Sequence, residues 1–111
     1  MNCHTYVIKW SVQYGVKLDD ILFGGYTNKL PDDIGGRCYY YLFDNKRKAS
    51  ILIPYRIVKK KCLCKVALWH EFCHAELYIK TGHMGHKLKW FLKTLRKPHL
   101  CLGQLILILL W

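Results

Sequence analysis

Between Val58 and Lys80 the chain offers almost no polar face. Leu63, Val66, Ala67, His70, His74, Leu77 and Tyr78 recur at steps of three and four residues, the stripe of one helix face. Leu68, Trp69, Phe72, Ala75 and Ile79 are apolar on the remaining sides. A helix apolar nearly all round belongs in the middle of its domain, because any surface position would leave one apolar side in water. A chain of 111 residues has room for one core. The remaining elements are therefore expected to wrap this helix in a single domain, residues 1–111. Gly82 and Gly85 end it.

The segments before the helix read as strands. Arg37–Phe43 (RCYYYLF) is rich in aromatic residues, which favour pleated structure. Asp44-Asn45-Lys46-Arg47-Lys48 is a polar turn, and Ala49–Pro54 (ASILIP) follows with Ile51 and Ile53 in alternation. Two such runs joined by five polar residues predict an antiparallel hairpin ending at Pro54, which has no N–H for a ladder. Thr5–Gln13 places Tyr6, Ile8 and Trp10 on one alternation, a strand signal, and Lys17–Phe23 reads as a second extended piece. After the central helix, Leu88–Lys97 reads as a short basic helix stopped by Pro98. The tail Leu100–Trp111 is strongly apolar, but its twelve residues fall short of the ~20 a bilayer span needs, so a buried strand or helix is expected. Strands followed by helices make the expected fold class α+β.

The net charge of +11 is unevenly distributed. Residues 1–45 carry four bases and five acids, whereas residues 46–111 carry fourteen bases and two acids. Such asymmetry suggests a polyanion partner, either nucleic acid such as DNA or an anionic membrane face, met by the basic residues 46–97. Solvated turn residues are the simpler account of Lys46-Arg47-Lys48 and Lys59-Lys60-Lys61. The six cysteines have no framework spacing, and the first ten residues contain no continuous apolar stretch of a secretory signal. Reduced thiols and a cytoplasmic location are expected.

The chemistry lies inside the central helix, at His70-Glu71-Phe72-Cys73-His74-Ala75-Glu76. His70 and His74 are four residues apart and so project from one helix face, one turn apart. Two imidazoles so placed can bind one Zn²⁺. Glu71 lies about 100° round the helix from His70, where its carboxylate can reach a water without ligating. With six His and two Glu in the chain, HExxH would arise by chance only about 0.006 times per such sequence. Cys73 falls off the shared face and is expected to pack, and Glu76 is expected to be a supporting hydrogen-bond partner or a surface acid. A hydrolytic zinc site needs a third protein ligand and an open fourth position. His83, His86 and His99 are the downstream candidates. The metzincin position six residues after the second His is Lys80, which excludes that class.

The run His70-Glu71-Phe72-Cys73-His74-Ala75, followed by Gly85-His86-Lys87-Leu88-Lys89-Trp90, resembles the SprT-like zinc metallopeptidases. Their pattern is HExxHA, a loop of variable length, then GHGxxF or GHGxxW. Gly85, His86 and Trp90 match it in order and spacing, whereas Lys87 stands where the family has a second Gly. The resemblance covers residues 35–97 and implies a small zincin-like domain, a short antiparallel sheet packed on the active-site helix, with His70, His74 and His86 as metal ligands, Glu71 as catalytic base, and a protein or peptide substrate. It also implies a minimal catalytic domain, since the paired CxxC motifs of the family's zinc ribbon are absent from this sequence.

Overall fold

The computed structural model describes residues 3–27, 36–55 and 61–84. Two helices and three strands follow in the order α1 (Cys3–Tyr14), β1 (Ile21–Thr27), β2 (Arg37–Phe43), β3 (Lys46–Pro54) and α2 (Lys61–Thr81). The fold class is α+β, as expected. The basic segment 88–97, the apolar tail 100–111, the Gly85-His86 pair and Lys59-Lys60 lie outside the described residues.

The first segment is a helix, not the strand its alternation suggests. Val7, Trp10 and Ser11 are buried and Tyr14 half-buried, a spacing of three and four that competes with the alternation of Tyr6, Ile8 and Trp10. Packing decides between the two periods. Trp10 is fully buried, edge-on to Trp69 at 5.1 Å and tilted against Phe72 at 5.6 Å, and only the helical period turns Val7, Trp10 and Tyr14 to that cluster together. The helix ends where Gly15 takes φ 71° and Val16 N–H donates to the Ser11 carbonyl at 2.9 Å. That bond satisfies a carbonyl the helix would otherwise leave open, and Val16 buries its side chain beside it.

The sheet has the order β1-β3-β2. β2 and β3 form the expected antiparallel hairpin, Phe43 opposite Lys46 through Arg37 opposite Leu52. Its turn is only Asp44-Asn45, at φ 50° and 62°, rather than the five residues the polarity suggested. Asp and Asn tolerate this left-handed backbone, and a two-residue turn of that hand matches the twist of the flanking strands. Lys46, Arg47 and Lys48 therefore belong to β3. β1 lies along the other side of β3 and runs parallel to it, from Ile21 opposite Ala49 to Thr27 opposite Pro54. The sheet is thus mixed, where an antiparallel one was expected. Hairpin patterning reports only neighbours joined by a turn, and β1 reaches β3 without one.

Both helices cover one face of this sheet. Ile21, Ala49, Ile51 and Ile53 point into the core shared with Val7, Val66, Leu68 and Phe72. The opposite face leaves Leu22, Tyr39 and Tyr41 exposed. α2 is the buried centre predicted from its apolar perimeter: every residue from Val66 to Tyr78 is buried. Its end is closed from the hairpin. Arg47 donates from Nε to the Ile79 carbonyl at 3.1 Å and from Nη2 to the Lys80 carbonyl at 3.3 Å. Thr81 Oγ1 donates to the Leu77 carbonyl, and Gly82, at φ 76°, donates its N–H to Tyr78 at 2.7 Å. The Tyr78, Ile79 and Lys80 carbonyls, three of the last four, are thereby bonded. Among the described residues no helix is long and apolar enough to cross a membrane.

Candidate metal centre

The 3.6-residue repeat of α2 sorts its buried side chains into two faces. Trp69, Phe72 and Glu76 turn toward α1, as the ring contacts of Trp10 and Tyr14 with Trp69 and Phe72 show. His70, His74 and Tyr78 form a stripe on another side, and Tyr78 meets Tyr40 of β2 with ring centroids 4.7 Å apart. The metal motif therefore looks toward the strand at the sheet edge.

Within that stripe His70, Glu71 and His74 are buried, at 1%, 4% and 6% exposure. One ligand atom from each lies within 4.8 Å of the others. The imidazoles stand edge to face, 5.0 Å apart at 63°. His70 Nε2 is 3.6 Å from Glu71 Oε1. Two ligands on one tetrahedral zinc at about 2.1 Å stand about 3.4 Å apart, so modest side-chain rotation closes this set on an ion. The three residues are close enough to bind a metal ion, and imidazole with carboxylate is a donor set that suits a divalent transition metal.

β2 supplies the wall opposite Glu71. Gly36, just before the strand, packs so closely that a Cβ there would sit 3.1 Å from Glu71 Cγ and 3.2 Å from Ile53 Cδ1. Cys38 and Tyr40 follow on the strand face that looks to α2, while Arg37 and Tyr39 alternate to solvent. Burial pushes the Glu71 carboxyl up to about 8, with the Arg37 guanidinium drawing it part of the way back. Burial raises the Cys38 thiol strongly, and the Glu71 charge adds to it. The Tyr40 hydroxyl is raised by burial first, then by Cys38 and Glu71. Glu71, Cys38 and Tyr40 share one poorly solvated space, and a cation between the histidines would favour ionised Glu71.

Other residues singled out in the sequence fall elsewhere. Cys73 is fully buried and is not part of the cluster. Glu76 is neither a surface acid nor directed at the histidines. It is fully buried and pairs with Lys80 Nζ at 3.0 Å, and the same ammonium donates to the Tyr14 carbonyl at 2.6 Å. This pair ties α2 to the end of α1. His83 lies beyond the helix end, which is itself about 10 Å along the axis from His74, and does not join the cluster. His86 and His99 lie outside the described residues. Arg47 caps α2, and Lys48 bonds the Asp19 carbonyl at 3.0 Å and pairs with Asp20 at 3.6 Å. Two of the three bases of that cluster thus have internal partners. Cys38, Cys64 and Cys73 are thiols.

Gly36, Cys38 and Tyr40 were not recognisable as site residues in the sequence. Alternation along β2 groups Cys38 with Tyr40, but only the packing of β2 on α2 brings that face to Glu71.

No family model, curated protein or solved structure matches this chain. The likeness to the SprT-like peptidases rests on the motif residues alone.

Proposed function

We propose that this protein is a zinc-dependent metallopeptidase of the SprT-like, zincin type. The observation that carries the reading is the burial of His70, Glu71 and His74 together on one face of a central helix. Two imidazoles and a carboxyl side by side on one buried helix face are a donor set for a divalent cation. Zinc suits the donors, and when bound it supplies a Lewis acid and an acidified water at neutral pH. His70 and His74 hold it, with His86 completing the set as the resemblance implies.

The other steps belong to the chain. Glu71 accepts a proton from the attacking water and delivers it to the departing amine. Its raised proton affinity in the metal-free protein fits a group that must give the proton back. Gly36 packs against the Glu71 stem closely enough that a side chain there would press on it. A peptide carbonyl would approach past Tyr40, which is half-buried where the stripe itself is buried.

The test is Glu71→Gln. The variant should keep one zinc per chain and lose hydrolysis of an unfolded protein substrate such as denatured casein. Retained hydrolysis removes Glu71 from its role. His86→Ala should lose zinc far more severely than His83→Ala; the reverse order names the other histidine as third ligand.

A second reading has one observation in its favour. The sheet face turned away from the helices exposes Tyr39 and Tyr41 beside Arg37 on a chain of net charge +11. Bases can stack on such rings and phosphates can pair with such cations. In this reading the protein associates with DNA or another polyanion, and its metal site is mainly structural. Binding to an oligonucleotide that weakens steeply with salt supports it, while absent or salt-independent binding refutes it.

A further inference from the structure

Resting on the metallopeptidase reading, we propose that Tyr40 is the hydrogen-bond donor to the oxyanion that forms when water attacks the scissile carbonyl. No residue of the HExxH motif fills that role, since the histidines hold the ion and Glu71 handles the proton. The donor must come from another element that faces the stripe, and among the described residues β2 is the strand that does so nearest Glu71.

Three observations single out Tyr40 on that strand. Its ring packs on Tyr78 at 4.7 Å and 42°, and Tyr78 continues the His70–His74 stripe by one further turn. The ring is therefore anchored at the His74 end of the site. It is half-buried, so a substrate can reach it, whereas Tyr78 beneath it is only 7% exposed. Among the described residues the Tyr40 hydroxyl makes no hydrogen bond, and its register partner on β3 is the small Ala49. A hydroxyl half-removed from water with no acceptor is poised for one that arrives during the reaction. Burial first, then Cys38 and Glu71, raises the affinity of this hydroxyl for its proton, which favours the donor form.

The step balances without consuming Tyr40. As the water oxygen bonds to the carbonyl carbon, the π electron pair moves to the carbonyl oxygen and one water proton moves to Glu71. Tyr40 donates a hydrogen bond to that oxygen and keeps its proton. The pair then re-forms the C=O bond, the C–N bond breaks, and Glu71 passes its proton to the amine nitrogen. The second water proton leaves with the carboxyl product.

The experiment compares Tyr40→Phe and Tyr78→Phe in the zinc-loaded full chain. It uses denatured casein for hydrolysis and a phosphinic peptide, whose tetrahedral oxygens mimic the attacked carbonyl, for binding. Tyr40→Phe should lower kcat about 100-fold with KM nearly unchanged, and weaken phosphinic peptide binding by about 10- to 100-fold. Zinc content and thermal midpoint should stay at wild-type values, because the hydroxyl bonds no other described residue, and Tyr78→Phe should stay close to wild type throughout. Wild-type kcat and phosphinic peptide affinity in Tyr40→Phe overturn the assignment and leave the metallopeptidase reading intact. Losses confined to Tyr78→Phe likewise overturn it, in favour of the deeper tyrosine. A wild-type protein that neither cleaves casein nor binds the phosphinic peptide overturns both.

Discussion

Replacing Glu71 with Gln should stabilise the metal-free protein, increasingly so as the pH rises. Gln keeps the shape of a neutral carboxyl but cannot ionise. In the folded chain burial holds the Glu71 carboxyl at about 8, against 4.5 for the free side chain. Between those two values the folded state binds more protons than the unfolded state, so stability falls as pH rises through that window. At about 1.4 kcal/mol for each tenfold change in proton affinity, the ceiling on the loss is about 5 kcal/mol. That is a large part of the ~5–15 kcal/mol that keeps a domain folded. The assay is urea denaturation of wild type and Glu71→Gln in chelator at intervals from pH 4.5 to 8.5. The two should coincide at the acid end and separate by a few kcal/mol at the alkaline end, with the variant more stable. One equivalent of zinc at pH 8 should return more stability to wild type than to the variant, because a cation beside the carboxylate removes the burial penalty. Stabilities that run parallel across the whole range would refute the reasoning and show that Glu71 is far better solvated than its burial implies.

Three further outcomes follow from the packing. Gly36→Ala should cost about 1–3 kcal/mol in urea denaturation and lower hydrolysis at unchanged zinc content, since its Cβ would press on Glu71 Cγ from 3.1 Å. Trp10→Ala should cost about 3–5 kcal/mol, read as a lower urea midpoint, because it empties the centre of the cluster with Trp69 and Phe72. Arg47→Ala should cost about 1–2 kcal/mol by the same measurement, as the Ile79 and Lys80 carbonyls lose their donor, and should leave zinc content unchanged.

The parts of this protein legible in its residues are those set by short-range periodicity. The apolar perimeter of 61–81 required a buried helix, and the four-residue spacing of His70 and His74 required both imidazoles on one face of it. The alternation in 37–43 and 49–54 required a hairpin, since both runs need a pleated partner across a polar turn. Where two periods coexisted, local pattern did not suffice. Residues 3–14 carry an alternation and a helical spacing together, and the fit of Trp10 against Trp69 and Phe72 selected the helix. The parallel placement of β1 and the internal bonds of Arg47 and Lys48 also depend on partners far away in the chain. So does the wall of the candidate metal centre. Nothing near Gly36, Cys38 or Tyr40 in sequence marks them as neighbours of Glu71. They become so because β2 is an edge strand whose inner face must cover the open side of α2, and a contact across 30 or more residues leaves no trace in local periodicity.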